Sequence, residues 1–246
     1  MLNKYYKAVD NLQLKIRETQ AKNIEHAAIL CAEAIENGHS VHLFDSGHII
    51  DAEMLNRAGG FELVKKFKYD LQIDHGHFGP RIQPEREKSK DRSMEGLAAF
   101  ALKKANVYPG DVMFIGSVSG ISQTVVDLAV EAQKMGVRIV ALTSVEYSKQ
   151  LDSLHPSNKK LYEVNEVLID NCAPFGDGML DVEGIRNTFI PASGLSAAYI
   201  MWAISARLLE LLLEKGIKPG ILGSVNNPEN VQFNIDLGER YEKEGI

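Results

Sequence analysis

Apolar side chains recur at helical spacing through residues 2–37. Ile24, Ala27, Ala28, Cys31 and Ile35 form one stripe, and Leu2, Tyr5, Tyr6, Val9, Leu12 and Ile16 continue it upstream. The pattern predicts a long helix, with Gly38 as its stop just past the last turn. Such a face must pack on the chain's own sheet or on a second subunit. Downstream, short apolar runs alternate with helical patterns. Ser40–Phe44 reads as a first buried strand, Asp45–His48 as a tight loop, and Ile49–Ala58 as a helix ended by Gly59 and Gly60. Phe61–Tyr69 reads as a second strand, whose lysines suggest an edge position.

Residues 70–92 show no clear period and carry Gly76, Gly79, Pro80 and Pro84 with His75 and His77. A stretch of this kind often works as a lid or binding loop. Asp91 and Ser93 are candidate caps for a helix running to Asn106. Asp111–Gly116 then reads as a strand, Ser117–Ser122 as a loop, Gln123–Lys134 as a helix and Val137–Leu142 as the next strand. Strand, helix and strand in succession predict a right-handed parallel βαβ unit. Glu166–Asp170 is a further strand, 171–193 a second long loop, and Gly194–Glu214 a helix apolar on most sides, hence one buried in a core or an oligomer interface. The alternation predicts an α/β fold with a parallel sheet covered on both faces. Ligands of such sheets sit at the carboxyl ends of strands, where the loops 45–48 and 117–122 both fall.

Composition narrows the classes. With 246 residues, 45% apolar and 24% charged, the chain can bury a full core as one domain, or one domain with a helical extension. The net charge is −6 and the isoelectric point near 5.7, with only short basic runs such as Lys65-Lys66 and Lys159-Lys160, so nucleic acid is not an expected partner. Cys31 and Cys172 have no CxxC partner. That argues against a zinc ribbon or disulfide framework and for packed thiols in a reducing compartment. No apolar h-region opens the chain and no apolar run reaches membrane-span length. The expectation is a cytoplasmic protein that meets no membrane and needs no metal or cofactor.

The loop Ser117-Val118-Ser119-Gly120-Ile121-Ser122 carries the clearest chemistry. A phosphate needs several donors converging on its oxygens, and a helix N-terminus supplies unpaired amides and partial positive charge. Ser117, Ser119, Ser122 and Thr124 add hydroxyl donors, and Gly120 allows close backbone approach. Neither GxxxxGK[ST] nor GxGxxG is present. Serine–glycine clusters after strands also serve as ordinary turns and caps.

This stretch resembles the S-x-S-G-x-[ST] signature of the SIS (sugar isomerase) domain family. The flanking strand Val112–Ile115, the helix Ala129–Val137 and the strand end Leu142-Thr143-Ser144 fit the same family, and Phe44-Asp45-Ser46-Gly47-His48 stands where phosphoheptose isomerases carry a G-x-G-x-S loop. Arg57-Ala58-Gly59-Gly60, Ile169-Asp170-Asn171 and Gly176-Asp177 resemble an uncharacterised subgroup assigned as phosphoheptose isomerases, and the likeness runs over residues 20–240. The resemblance implies a three-layer αβα sandwich around a five-stranded parallel sheet, with residues 1–37 as an N-terminal helical extension and 38–246 as the phosphosugar-binding domain. It implies a sugar-phosphate ligand held by Ser46, Gly47, His48, Ser117, Ser119, Gly120, Ser122 and Thr124, and a homodimer or homotetramer. It does not carry over that family's catalytic pair. Asn56-Arg57-Ala58 offers no glutamate at the end of the first-loop helix, and Gly194–Glu214 has no histidine.

Aldose–ketose isomerisation needs a base that moves a proton between adjacent carbons. His48, Glu53 and His75 are the candidates. His48 serves as base, binding donor or helix cap; Glu53 reads more readily as a surface or interface group; His75 and His77 read as reaching the sugar or a metal, or as solvated loop residues. Arg57 reads as a phosphate partner or an interface ion pair, Asp170-Asn171 as anchors of the loop after them, and Ser193 and Ser196 as a second site for an anion or a sugar hydroxyl. The expected function is a phosphosugar-binding protein acting as an aldose–ketose isomerase. The alternatives are a non-catalytic phosphosugar sensor or regulatory module, and an amino-sugar phosphate lyase or etherase.

Overall fold

The computed structural model describes residues 1–47, 50–72 and 96–246. The elements in chain order are α1 (Leu2–Glu36), β1 (Val41–Asp45), α2 (Asp51–Met54), β2 (Val64–Lys66), α3 (Leu97–Lys104), β3 (Val112–Gly116), α4 (Gln123–Lys134), β4 (Arg138–Thr143), α5 (Val145–Lys149), β5 (Val167–Asp170), β6 (Gly178–Leu180), β7 (Phe189–Pro191), α6 (Ser193–Glu214) and α7 (Glu229–Glu244). A short 3₁₀ turn covers Leu161–Glu163.

Five strands form one parallel sheet in the order β2-β1-β3-β4-β5. The chain winds outward from β1 to β2, crosses back, and continues from β3 to β5. The winding therefore reverses between β1 and β3, whose last residues Asp45 and Gly116 are register partners. The strands read as apolar runs because both faces are covered, and alternate residues feed two cores. Val41, Leu43, Val112, Phe114, Val140, Leu142, Val167 and Ile169 face the core shared with α1 and α6. Phe44, Met113, Ile115, Ile139 and Ala141 face the one shared with α3 and α4. The three layers expected from the resemblance are present.

The small residues Ala27, Ala28 and Cys31 are fully buried and let α1 lie close to α6, whose Ile200, Ile204, Leu208 and Leu212 complete that layer. Arg207–Glu25 at 2.9 Å and Lys215–Glu36 at 2.6 Å join the helix rims. The stripe of α1 is buried only from Leu12 onward; Leu2 and Tyr6 are exposed. By length and composition alone α6 could cross a bilayer, but here its apolar stripe packs in the core.

Three expectations are revised. The helix read over Ile49–Ala58 is only Asp51–Met54, because Leu55 is extended and the following chain is recruited elsewhere. Gly59 and Glu62 donate to the carbonyls of Leu222 and Gly220 at 2.8 and 3.0 Å, and Leu222 donates to Gly60 at 2.9 Å. This tertiary pairing overrides local helix preference. The strand read over Phe61–Tyr69 is reduced to Val64–Lys66, at the edge as its lysines indicated. The loop 171–193 contains an antiparallel hairpin, β6 with β7. The caps Asp91 and Ser93 lie outside the described residues.

Candidate functional site

The serine loop leaves β3 at the point of winding reversal. The Ser117 amide extends the ladder by donating to Leu142 at 3.0 Å. The Val118 carbonyl accepts from the Ser144 amide at 2.9 Å and the Thr143 hydroxyl at 3.1 Å. The Gly120 and Ile121 carbonyls accept from the amides of Leu161 at 2.8 Å and Leu154 at 3.0 Å. The buried Ser117 Oγ accepts from the Gly120 amide at 3.3 Å and braces the turn. Gly120 has φ +61°, and a Cβ there would stand 2.8 Å from Thr143 Oγ1, so only glycine fits.

These bonds occupy the carbonyls of Val118, Gly120 and Ile121. Ser122 caps α4 with extended backbone, but its side chain makes no capping bond. The amides of Gln123, Thr124 and Val125 form the first turn and have no carbonyl before them to bond. No hydrogen bond joins the hydroxyls of Ser119, Ser122 or Thr124 to another described residue.

The first loop is hooked onto this one. The Ser46 amide donates to the Gly116 carbonyl at 3.0 Å, which brings Ser46 and Gly47 to the same sheet end as the serine loop. The Asp45 carboxylate accepts from the Gly47 and Ile50 amides at 3.1 and 2.7 Å and so shapes the turn into α2. Glu53 faces α6: its carboxylate accepts from the Trp202 indole at 3.3 Å and pairs with Arg57 at 3.0 Å. His48 and His75 lie outside the described residues.

The N-terminus of α6 differs from that of α4. Asp177 Oδ1 accepts from the amides of Ala192 and Ser193 at 3.1 and 2.8 Å, and Oδ2 from the Ser193 hydroxyl at 2.8 Å. The Ser196 hydroxyl donates back to the Ser193 carbonyl at 3.0 Å. The chain's own carboxylate fills the place that Ser193 and Ser196 suggested for a second anion. Asp170, by contrast, anchors the next segment as read, accepting from the amides of Val145 and Cys172 at 3.2 and 2.9 Å. Asn171 is fully buried; its Oδ1 accepts from the Ala173 amide at 3.0 Å while its NH₂ group has no partner among the described residues.

Sequence reading also passed over a relay beside the serine loop. His155 Nε2 lies 2.8 Å from Asp127 Oδ1, and its Nδ1 lies 2.7 Å from Ser157 Oγ. Asp127 belongs to α4, and the segment carrying His155 is bonded to the loop through Leu154 and Leu161. The only signal was a histidine near lysines after β4, too generic to single out.

The profile of the SIS domain matches residues 4–144, a stretch containing both loops and the strands that carry them. The chain belongs to the SIS domain family. This SIS chain is 31% identical to a UPF0309 protein of Oceanobacillus iheyensis, over 98% of its own length and 96% of that protein. A UPF0309 protein of Geobacillus kaustophilus is 32% identical over 99% of the chain and 95% of the relative. Among solved structures, a Bacteroides fragilis protein described as a candidate phosphosugar isomerase involved in capsule formation aligns with a TM-score of 0.51. It has 13% identity and covers 88% of this chain and 91% of that one, which shows a shared fold. Phosphoheptose isomerase of Neisseria gonorrhoeae aligns at 13% identity and a TM-score of 0.49, over 85% of this chain and 97% of its own.

Proposed function

We propose that this SIS protein binds a phosphorylated sugar, with the phosphate on the first turn of α4 and the sugar reaching toward Ser46 and Gly47. The carrying observation is the contrast between two helix ends. The N-terminus of α6 is closed by Asp177, whereas that of α4 presents amides and the hydroxyls of Ser119, Ser122 and Thr124 with no acceptor among the described residues. Phosphate is the common biological group that uses such a cluster without a lysine. Family membership and the fold shared with a candidate phosphosugar isomerase support the same reading.

The reaction we infer is aldose–ketose isomerisation, with the base drawn from His48, Glu53 and His75. The engagement of Glu53 by Trp202 and Arg57, together with the absence of histidine from α6, favours a second reading: a sensor that binds the sugar phosphate without turning it over. Both readings place the protein in a reducing, cytoplasmic setting, supported by two free buried thiols. Both also include a homo-oligomer. Its support is an apolar crevice of about 450 Å³ lined by Met1, Val182, Ile185 and Phe189, next to the exposed Leu2 and Tyr6.

The test is a thermal-shift screen with sugar phosphates on wild type and Ser119→Ala, followed by NMR of the stabilising mixtures. Stabilisation lost in Ser119→Ala supports the site, and new sugar resonances support the isomerase. No stabilisation by any sugar phosphate refutes the site; stabilisation without product selects the sensor.

A further inference from the structure

We propose that His155 is the counter-charge of the anion site, acting through Asp127, and that it takes up a proton when an anion occupies the serine loop. This rests on the loop being an anion site. Asp127 stands four residues after Gln123, about 6 Å along the axis of the helix whose first turn would hold the anion. Its carboxylate therefore repels that anion, and the repulsion is poorly screened because the Asp127 and His155 side chains are only 20% and 11% exposed.

His155 is placed to cancel this charge. Its Nε2–H donates to Asp127 at 2.8 Å. Among the described residues, Tyr69 is the other titratable group facing Asp127. Its hydroxyl donates to the Thr124 carbonyl at 3.4 Å and is pushed up to about 12 by burial and by Asp127, so it stays neutral. On the segment that carries His155, Lys160 reaches away to the Ser148 carbonyl at 2.8 Å and Lys159 is exposed. His155 is thus the one described group bonded to Asp127 that can supply a positive charge near neutral pH.

As placed, the ring carries one proton, on Nε2; a second, on Nδ1, has to displace the Ser157 amide and is received by the Ser157 hydroxyl. Nδ1 accepts from the Ser157 amide at 3.1 Å, with Ser157 Oγ at 2.7 Å. That hydroxyl donates to a bare Nδ1, or rotates and accepts from a protonated one. The segment is fastened to the serine loop by the Leu154–Ile121 and Leu161–Gly120 backbone bonds, so the ring keeps a fixed place beside the loop. The pair carries one negative charge with a neutral ring and none with a protonated ring. A bound dianion favours the second state, and by reciprocity the protonated ring tightens anion binding.

Sulfate is the probe, because its charge is constant over the range in which a histidine titrates. The His155 ring resonance, assigned by comparison with His155→Gln, is followed through a pH titration in saturating sulfate and in chloride of equal ionic strength. The expected result is a midpoint raised by about half a unit in sulfate, equivalent to about a threefold change in sulfate affinity. Asp127→Asn binds sulfate more tightly, and His155→Gln binds it without that pH dependence. Sulfate that binds while the midpoint stays put, or with an affinity unchanged across the range, overturns the coupling alone. Sulfate that does not bind overturns the anion site with it. If the variants do not fold, the wild-type affinity and the response of its histidine resonances to sulfate still decide.

Discussion

Asp177 holds Ser193 at two points and its neighbour Ala192 at a third: Oδ1 takes the Ser193 amide at 2.8 Å, Oδ2 takes its hydroxyl at 2.8 Å, and Oδ1 also takes the Ala192 amide at 3.1 Å. The bond joins the turn before β6 to the head of the main core helix. It explains how a residue with φ +67° can be held in place outside glycine. Asp177→Ala is expected to destabilise the chain by about 1–2 kcal/mol, the range for a lost cap. In a melting experiment this is a fall of about 2–8 °C. An unchanged melting temperature would show that the cap is dispensable.

Gly120→Ala should fail on two grounds. Its φ of +61° costs a side-chain-bearing residue about 1–2 kcal/mol, and its Cβ would meet Thr143 Oγ1 at 2.8 Å and Leu161 Cβ at 3.0 Å. The expected outcome is a lowered urea midpoint together with loss of stabilisation by sulfate. A variant that melts as wild type and still binds sulfate would contradict the packing described for the loop.

Asp111 gives a pH signature far from the site. Burial raises its carboxyl, but hydrogen bonds from His42 and from the Ser40 and Tyr108 amides outweigh burial and hold it below the usual carboxylate range. A carboxylate depressed in the folded state adds stability above its unfolded value of about 3.9 and loses it as pH falls through the lower folded value. Asp111→Asn should therefore cost about 1–3 kcal/mol at neutral pH. It should also flatten the fall in stability below about pH 4 seen by denaturant titration of the wild type.

Cys31 is fully buried, and burial pushes its thiol up to about 12 despite the Arg138 charge. Burial and the neighbouring Asp170 carboxylate also raise Cys172. An acid with a raised folded value favours the folded chain below its unfolded value, here about 8.5, and that contribution is lost as pH climbs toward about 12. Ellman's reagent should find no fast thiol in the native protein at pH 8 and both thiols after unfolding. A fast native reaction would mean that one of the two is accessible.

The parallel sheet could be read from the chain because its strands are buried on both faces, which leaves continuous apolar runs such as Val112–Ile115. The hairpin could not: β7 has exposed Phe189 and Pro191, and neither short strand alternates cleanly. The truncation of α2 was equally hidden, because what ends it is the chain at 220–222, far away in sequence. In α7 only Leu237 is buried, so its helix carries little apolar signal.

The same distinction runs through the site. The serine loop is contiguous and could be placed from Ser117 to Ser122. The Asp177 cap and the His155–Asp127 pair join residues 16 and 28 positions apart, and no local pattern announces them. Of the acid–base candidates, only Glu53 lies among the described residues, and its partners Trp202 and Arg57 were not foreseeable as a set.

The length of α1 has a consequence for how the molecule moves in water. Its 35 residues make a rod about 52 Å long. A compact chain of this size has a radius of gyration of about 18 Å. The rod exceeds the globule it is packed into, and burial begins only at Leu12. With the segment 182–189 beside Met1 at its end, a single copy tumbles as an elongated body, and its nitrogen relaxation rates should differ between amide vectors along α1 and those across it.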